Sequence, residues 1–255
     1  TDTGKEIARE ASVHLKKISL EMGGKNPVLI FDDCNYDIML NSLIKSSFLN
    51  QGQICLAGSR IYVQETIYEK FKKDFISKVK KLRIGDPFNS KTDQGAIVSL
   101  EHLNKILKYI KQAKKEGGEI VTGGSIPIMD KKCSSGWYFS PTVIENLPQN
   151  SILNQEEIFG PVVTLNTFKD EKQALEMAND TDYGLASIIW TENLERAHKL
   201  AEVVESGLVW INCWLERDLR TPFGGIKNSG FGKEGGRYAI DFFTEAKNVC
   251  IKYYD

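Results

Sequence analysis

Residues 59–82 read SRIYVQETIYEKFKKDFISKVKKL, a β-branched run followed at once by an amphipathic stretch. Ser59–Gln64 carries strand-forming residues. In the remainder Ile67, Phe71, Phe75 and Val79 recur near one face at helical spacing, so the segment predicts a strand followed by a helix. The alternation repeats on both sides. Upstream, PVLIF (27–31) reads as a buried strand, followed by a helix-like run from about Tyr36 to Leu49. Downstream, LEHLNKILKYIKQAKKEG (100–117) is helical and stops at Gly117–Gly118, and EIVTGG (119–124) is a short strand. PVVTLNTF (161–168) precedes the helix DEKQALEMAND (170–180), which Asp170 can cap, and ASIIWT (186–191) precedes NLERAHKLAEVVESG (193–207). LVWIN (208–212) is a further strand. Strands separated by helices imply right-handed crossovers, so the expected fold is α/β, a mainly parallel sheet with helices on both faces. From Pro222 the texture changes to a Gly-rich loop, a helix-like piece and NVCIKYY (248–254) as a terminal strand, while SIPIMDKKCSSG (125–136) reads as a surface loop.

Composition excludes several function classes. The formal net charge of the 255 residues is -1, with 33 Lys and Arg against 34 Asp and Glu, and the lysines are spread. No electrostatic footprint for nucleic acid is present, and no apolar run approaches the roughly 18–20 residues of a membrane span. The five cysteines, Cys34, Cys55, Cys133, Cys213 and Cys250, are odd in number and without a CxxC pair. That spacing argues against a disulfide framework or a zinc site and for a reducing, cytoplasmic setting. His14, His102 and His198 stand alone, so no metal is expected. GFGKEG (230–235) matches the dinucleotide pattern GxGxxG, but it follows a loop rather than a strand. A flexible turn leading into a helix is the better reading.

The candidate chemistry centres on NQGQICLAGSR (50–60). Gly52 permits a close backbone approach, and Asn50 and Gln53 can hold the loop by side-chain hydrogen bonds. Glu21, in LEMGGKNP, stands on a turn about one βα unit before Cys55. Residues beyond the carboxyl ends of parallel strands converge on one crevice, which would bring the two together. Spacing alone leaves Cys55 open to a second reading, since single cysteines are mostly buried hydrophobes.

LEMGGKNP, FLNQGQICLAGSR, EEIFGPVV, YGLASIIWT, SGLVWIN and TPFGGIKNSGFGKEGG resemble, in order, the successive motifs of the NAD(P)-dependent aldehyde dehydrogenase superfamily. The resemblance implies that Cys55 attacks the aldehyde carbon and that its own N–H, with an asparagine from the family's N-terminal half, holds the oxyanion. It implies that hydride leaves to NAD, with NADP not excluded, and that Glu21 activates the water that hydrolyses the thioester. Glu157 resembles the ligand of the nicotinamide ribose, with Phe159 packing nearby. Lys105 and His102 fall where the family contacts the adenosine ribose, although a solvated helix face would explain them equally. Arg217, in NCWLERDLRTPFGG, stands where relatives acting on neutral aldehydes carry an apolar residue. A guanidinium there suits a substrate with its own carboxylate, as in the branch acting on 2-aminomuconic and 2-hydroxymuconic semialdehydes of tryptophan and aromatic breakdown. The other reading of Arg217 is a salt bridge to Glu216, Asp218 or another acid, and Arg220 is a second cation less clearly aimed at the substrate.

The family comparison implies a division into residues 1–23 as a remnant of the NAD-binding domain, 24–223 as the catalytic domain, and 224–255 as a returning tail with an oligomerisation strand. The chain begins at Thr1 inside a family segment, so it reads as the C-terminal part of a homodimeric or homotetrameric enzyme that oxidises a small-molecule aldehyde. The enzyme reading applies to the parent, and this part alone is expected to be inactive. The alternative expectation is a non-catalytic oligomerisation or aldehyde-binding module that lacks most of the cofactor domain.

Overall fold

A computed structural model describes residues 1–254. In chain order its first elements are α1 (Asp2–Val13), β1 (Leu20–Glu21), β2 (Asn26–Ile30), α2 (Tyr36–Phe48), β3 (Gly58–Gln64) and α3 (Tyr68–Val79). There follow α4 (Leu100–Lys115), β4 (Glu119–Thr122), β5 (Thr142–Glu145), α5 (Ile152–Gln155), β6 (Val162–Phe168) and α6 (Glu171–Asn179). The chain continues through β7 (Tyr183–Gly184), β8 (Ala186–Trp190), α7 (Leu194–Val203), β9 (Leu208–Ile211), β10 (Ile226–Lys227), β11 (Gly230–Phe231) and α8 (Gly236–Phe243).

Seven strands form one sheet in the order β4-β5-β6-β3-β2-β8-β9. Every neighbouring pair is parallel except β4 with β5. Alternation along the strands places helices on both faces, as expected from the sequence. In β2, Val28 and Ile30 pack with Met39 and Leu43 of α2 and with Phe71 and Phe75 of α3. Leu29 and Phe31 turn the other way, onto Ala174 and Ala178 of α6 and Leu200 of α7. α4 buries Leu103, Ile106 and Ile110 against Ile144 and Val162. The Asp170 cap forms, accepting from Gln173 N at 2.9 Å, and Gly117 takes φ +84° where α4 stops.

Three features differ from the sequence reading. β5 is a central-sheet strand that the pattern does not single out, being four residues after a long loop. β4 runs antiparallel, because it reaches β5 through that loop rather than through a helix. The segment 248–254 forms no strand within the described residues. Its propensity matches a strand, but a strand needs a partner edge, and Val249, Ile251, Tyr253 and Tyr254 stay exposed. No helix among the described residues is long and apolar enough to cross a membrane.

Candidate active site

The candidate residues gather at the amino ends of the parallel strands, not beyond their carboxyl ends as the crevice rule suggests. Glu21 to Lys25 lead into β2, Cys55 leads into β3, and Glu157 to Gly160 lead into β6. Because these strands are parallel neighbours, the segments that enter them lie side by side. The loops that carry Glu21, Cys55 and Glu157 are therefore helix-to-strand and strand-to-strand entries.

The turn from α2 into β3 is made by Asn50, Gln51 and Gly52 in succession at φ 51°, 58° and 66°. A side chain on Gly52 would overlap the Gly160 carbonyl, so the Cys55 and Glu157 loops touch through bare backbone. Asn50 Nδ2 donates to Gln53 O at 3.0 Å, and Gln53 Oε1 accepts from Val98 N at 3.1 Å, which fixes the loop as its composition suggests. Asn26, which the sequence reading passes over, ties the loop to the sheet. Its Nδ2 donates to Cys55 O at 2.7 Å and Ala57 O at 2.9 Å, while its Oδ1 accepts from Ala186 N at 3.0 Å. Trp214 Nε1 donates to Leu56 O at 3.0 Å, drawing the loop after β9 onto the same site.

Cys55 is half-buried. Burial first, then the nearby charges of Glu157 and Glu21, push its thiol up, while the Cys55 and Leu56 N–H groups pull it down. Backbone N–H groups that favour the thiolate in this way can also stabilise other developing negative charge. Glu21 carries a pKa raised to about 7, by desolvation and then by Glu234, against the opposing pull of Lys233, Arg217 and the Gly225 N–H. A carboxylate so placed can act as a base near neutral pH.

Glu157 accepts from Gly24 N at 3.0 Å through Oε1. A Cβ on Gly23 would overlap the Glu157 carboxylate and one on Gly24 would crowd Asn26 Oδ1 and Cys55 O, which explains the paired glycines after Met22. Burial raises the Glu157 pKa, and the Gly24 N–H, Lys25 and Lys105 lower it. Phe159 sits at φ +57°, and His102 Nε2 lies 2.6 Å from its carbonyl. His102 therefore holds the Phe159 turn. Lys105 Nζ approaches Glu157 O at 3.5 Å. A polar cleft of about 470 Å3 opens beside Glu157, lined by Lys5, Lys105, Tyr109, Glu156 and Tyr183. Acceptor oxygens and ammonium groups around one cleft suit a ligand that carries both ribose hydroxyls and phosphates.

Arg217 does not pair with Glu216 or Asp218. Its guanidinium lies over the Phe223 ring, 4.1 Å from the centroid, close enough to Glu21 to lower its pKa. Asp218 pairs instead with Arg220, which removes Arg220 from the site. Lys25 is a further residue that the sequence reading does not single out. Its ammonium is buried, Nζ has no hydrogen-bond partner among the described residues, and its pKa falls to about 7 through desolvation and the neighbouring Arg60.

Residues 1–249 match the Aldehyde dehydrogenase family. The chain is 43% identical over 253 residues to 2-aminomuconic semialdehyde dehydrogenase of Homo sapiens, covering 98% of this chain and 52% of that protein. It is 42% identical over 252 residues to 2-hydroxymuconic semialdehyde dehydrogenase of Pseudomonas putida, covering 99% and 52% respectively. The fold superposes on the crystal structure of betaine aldehyde dehydrogenase from Staphylococcus aureus in complex with NAD+, with a TM-score of 0.91 and 40% identity. That match covers 94% of this chain and 47% of the other. The chain thus spans about half the length of the curated relatives it matches.

Proposed function

The chain belongs to the aldehyde dehydrogenase family, and on that premise we propose that it carries the catalytic residues for oxidising a carboxylate-bearing semialdehyde to the acid with NAD. The observation that carries this reading is the convergence of the Cys55 thiol with two carboxylates, Glu21 and Glu157, at one end of the sheet.

In the proposed reaction the Cys55 thiolate forms a C–S bond to the aldehyde carbon, and the carbonyl electron pair moves to oxygen as a thiohemiacetal anion. The Cys55 N–H would hold that charge. When bound, the nicotinamide group supplies the acceptor for the hydride that leaves the same carbon as C=O re-forms and a thioester is left. Glu157 would hold the ribose hydroxyls through its free oxygen, with Phe159 beside it and Lys105 towards the rest of the cofactor. His102 acts through the Phe159 turn. Glu21 then takes a proton from water, the hydroxide adds to the thioester, and the C–S bond breaks to return the thiolate and release the carboxylic acid.

Arg217 is proposed to grip the substrate's second carboxylate. The support is a guanidinium without an acid partner among the described residues, stacked on Phe223 beside Glu21. Two similar proteins named for muconic semialdehydes fit that substrate class. The test is NADH formation by an enzyme that joins this chain to the family's N-terminal half, with a semialdehyde acid and with a neutral aldehyde of similar length. Arg217→Ala is expected to raise KM for the acid about tenfold or more and to leave the neutral aldehyde nearly unchanged. Equal losses on both would remove the carboxylate-clamp reading.

A further inference from the structure

We infer that Lys233 is the positioning residue for Glu21, acting through the Gly224–Gly225 turn that lies between them. Its Nζ donates to the carbonyls of both glycines, at 2.8 Å for Gly225. From the same turn the Gly225 N–H lowers the Glu21 pKa. Gly224 is the wall between the two side chains. A Cβ there would stand 2.7 Å from Glu21 Oε1 and 3.2 Å from Lys233 Cδ.

The frame around this clamp is fixed from two directions. Phe223 N donates to Glu234 O at 2.9 Å, and Glu234 N donates to Phe223 O at 2.7 Å, closing the 223–234 loop at its base. Glu21 pairs across to Gly230 in the β1–β11 ladder. The carboxylate therefore stands on one edge of a loop whose other edge is held by a half-buried ammonium. With its bonds on two backbone carbonyls, Lys233 also supplies a positive charge without drawing the Glu21 carboxylate into a direct ion pair. Glu21 stays free to take a proton from water.

The groups facing Glu21 are Glu234, Lys233 and Arg217, with the Cys55 thiol across the cleft. Glu234 favours the protonated form, and Lys233 opposes it. Loss of the ammonium should then raise the proton affinity of Glu21 and loosen the turn together.

The inference rests on Glu21 being the base of the proposed reaction, so its test reads the carboxyl itself. Carboxyl-13C-labelled glutamate in the chain is titrated by NMR, with the Glu21 resonance assigned by its disappearance in Glu21→Gln. Lys233→Met is expected to move the Glu21 midpoint by about one pH unit to the alkaline side, and Lys233→Arg to return most of that shift. Should Lys233→Met lose its cooperative thermal transition, Lys233→Gln makes the same comparison with a donor kept and the charge removed. An unmoved Glu21 midpoint in a folded Lys233→Met or Lys233→Gln chain overturns the inference. Failure of the functional reading is distinct, because it would appear as undiminished thioester hydrolysis in Glu21→Gln whatever the titration shows.

Discussion

A thiol and two carboxylates meet at one end of the sheet, and both carboxylates make the thiol harder to ionise. Cys55 is held towards its neutral form by burial and by Glu157 and Glu21, while Glu21 is raised from 4.5 to about 7. For a carboxyl whose folded pKa lies above its unfolded value, the protonated form is favoured by folding. Stability from that proton is complete below the unfolded value and is lost as pH rises through the folded one. Glu21→Gln should therefore leave Tm unchanged at pH 4. Its gain should grow between about 4.5 and 7 and level off above, at about 2 °C because the carboxylate keeps contact with solvent. A thermal scan series from pH 4 to pH 8 checks this, and a loss of Tm at pH 8 would contradict it. At this scale much of the site was legible. Cys55, Glu21, Glu157 and Phe159 stand in contiguous motifs, whereas Asn26 and Lys233 act by bonding backbone carbonyls that only the fold brings near. Arg217 was legible as a charge in an unusual place, but its stacking on Phe223 was not.

The elements divide along the same line. Strands bounded by their own turn residues, such as β2, β3, β6 and β8, followed from β-branched runs, and α3 and α4 from helical spacing. What failed depended on partners remote in sequence: β5, the antiparallel β4, and the segment 248–254 without a ladder. The position of the site also departed from expectation. The rule for open sheets concerns loops leaving the carboxyl ends of strands, but Glu21, Cys55 and Glu157 all precede their strands, an order already visible in LEMGGKNPVLIF and ICLAGSRIYVQ. The entry turn into β3 is the element on which this arrangement depends. Gly52→Ala combines a left-handed backbone at φ +66° with a methyl group driven into the Gly160 carbonyl. It is expected to cost about 2 kcal/mol or more and to part the Cys55 loop from Glu157. Denaturant unfolding measures the first effect. An unchanged midpoint would mean that the two loops do not bear on each other.

Across the whole molecule, the site is assembled from segments as far apart as Glu21 and Lys233, all brought to one end of a sheet whose two faces are covered by helices. The sheet supplies the rigidity, and the entry loops carry the candidate residues Glu21, Cys55 and Glu157. Matching the aldehyde dehydrogenase family over residues 1–249 accounts for why so many separate segments agree. The proposed reaction divides the labour between Cys55 and Glu21: one would make the thioester and the other would remove it. The most direct test is intact-mass measurement after mixing the protein with NAD and a semialdehyde acid, comparing Glu21→Gln with Cys55→Ala. That division predicts one acyl adduct, located on Cys55, that accumulates in Glu21→Gln with one equivalent of NADH, and no adduct in Cys55→Ala. An adduct that persists in Cys55→Ala, or a Glu21→Gln protein that turns over as fast as the unaltered one, would contradict it.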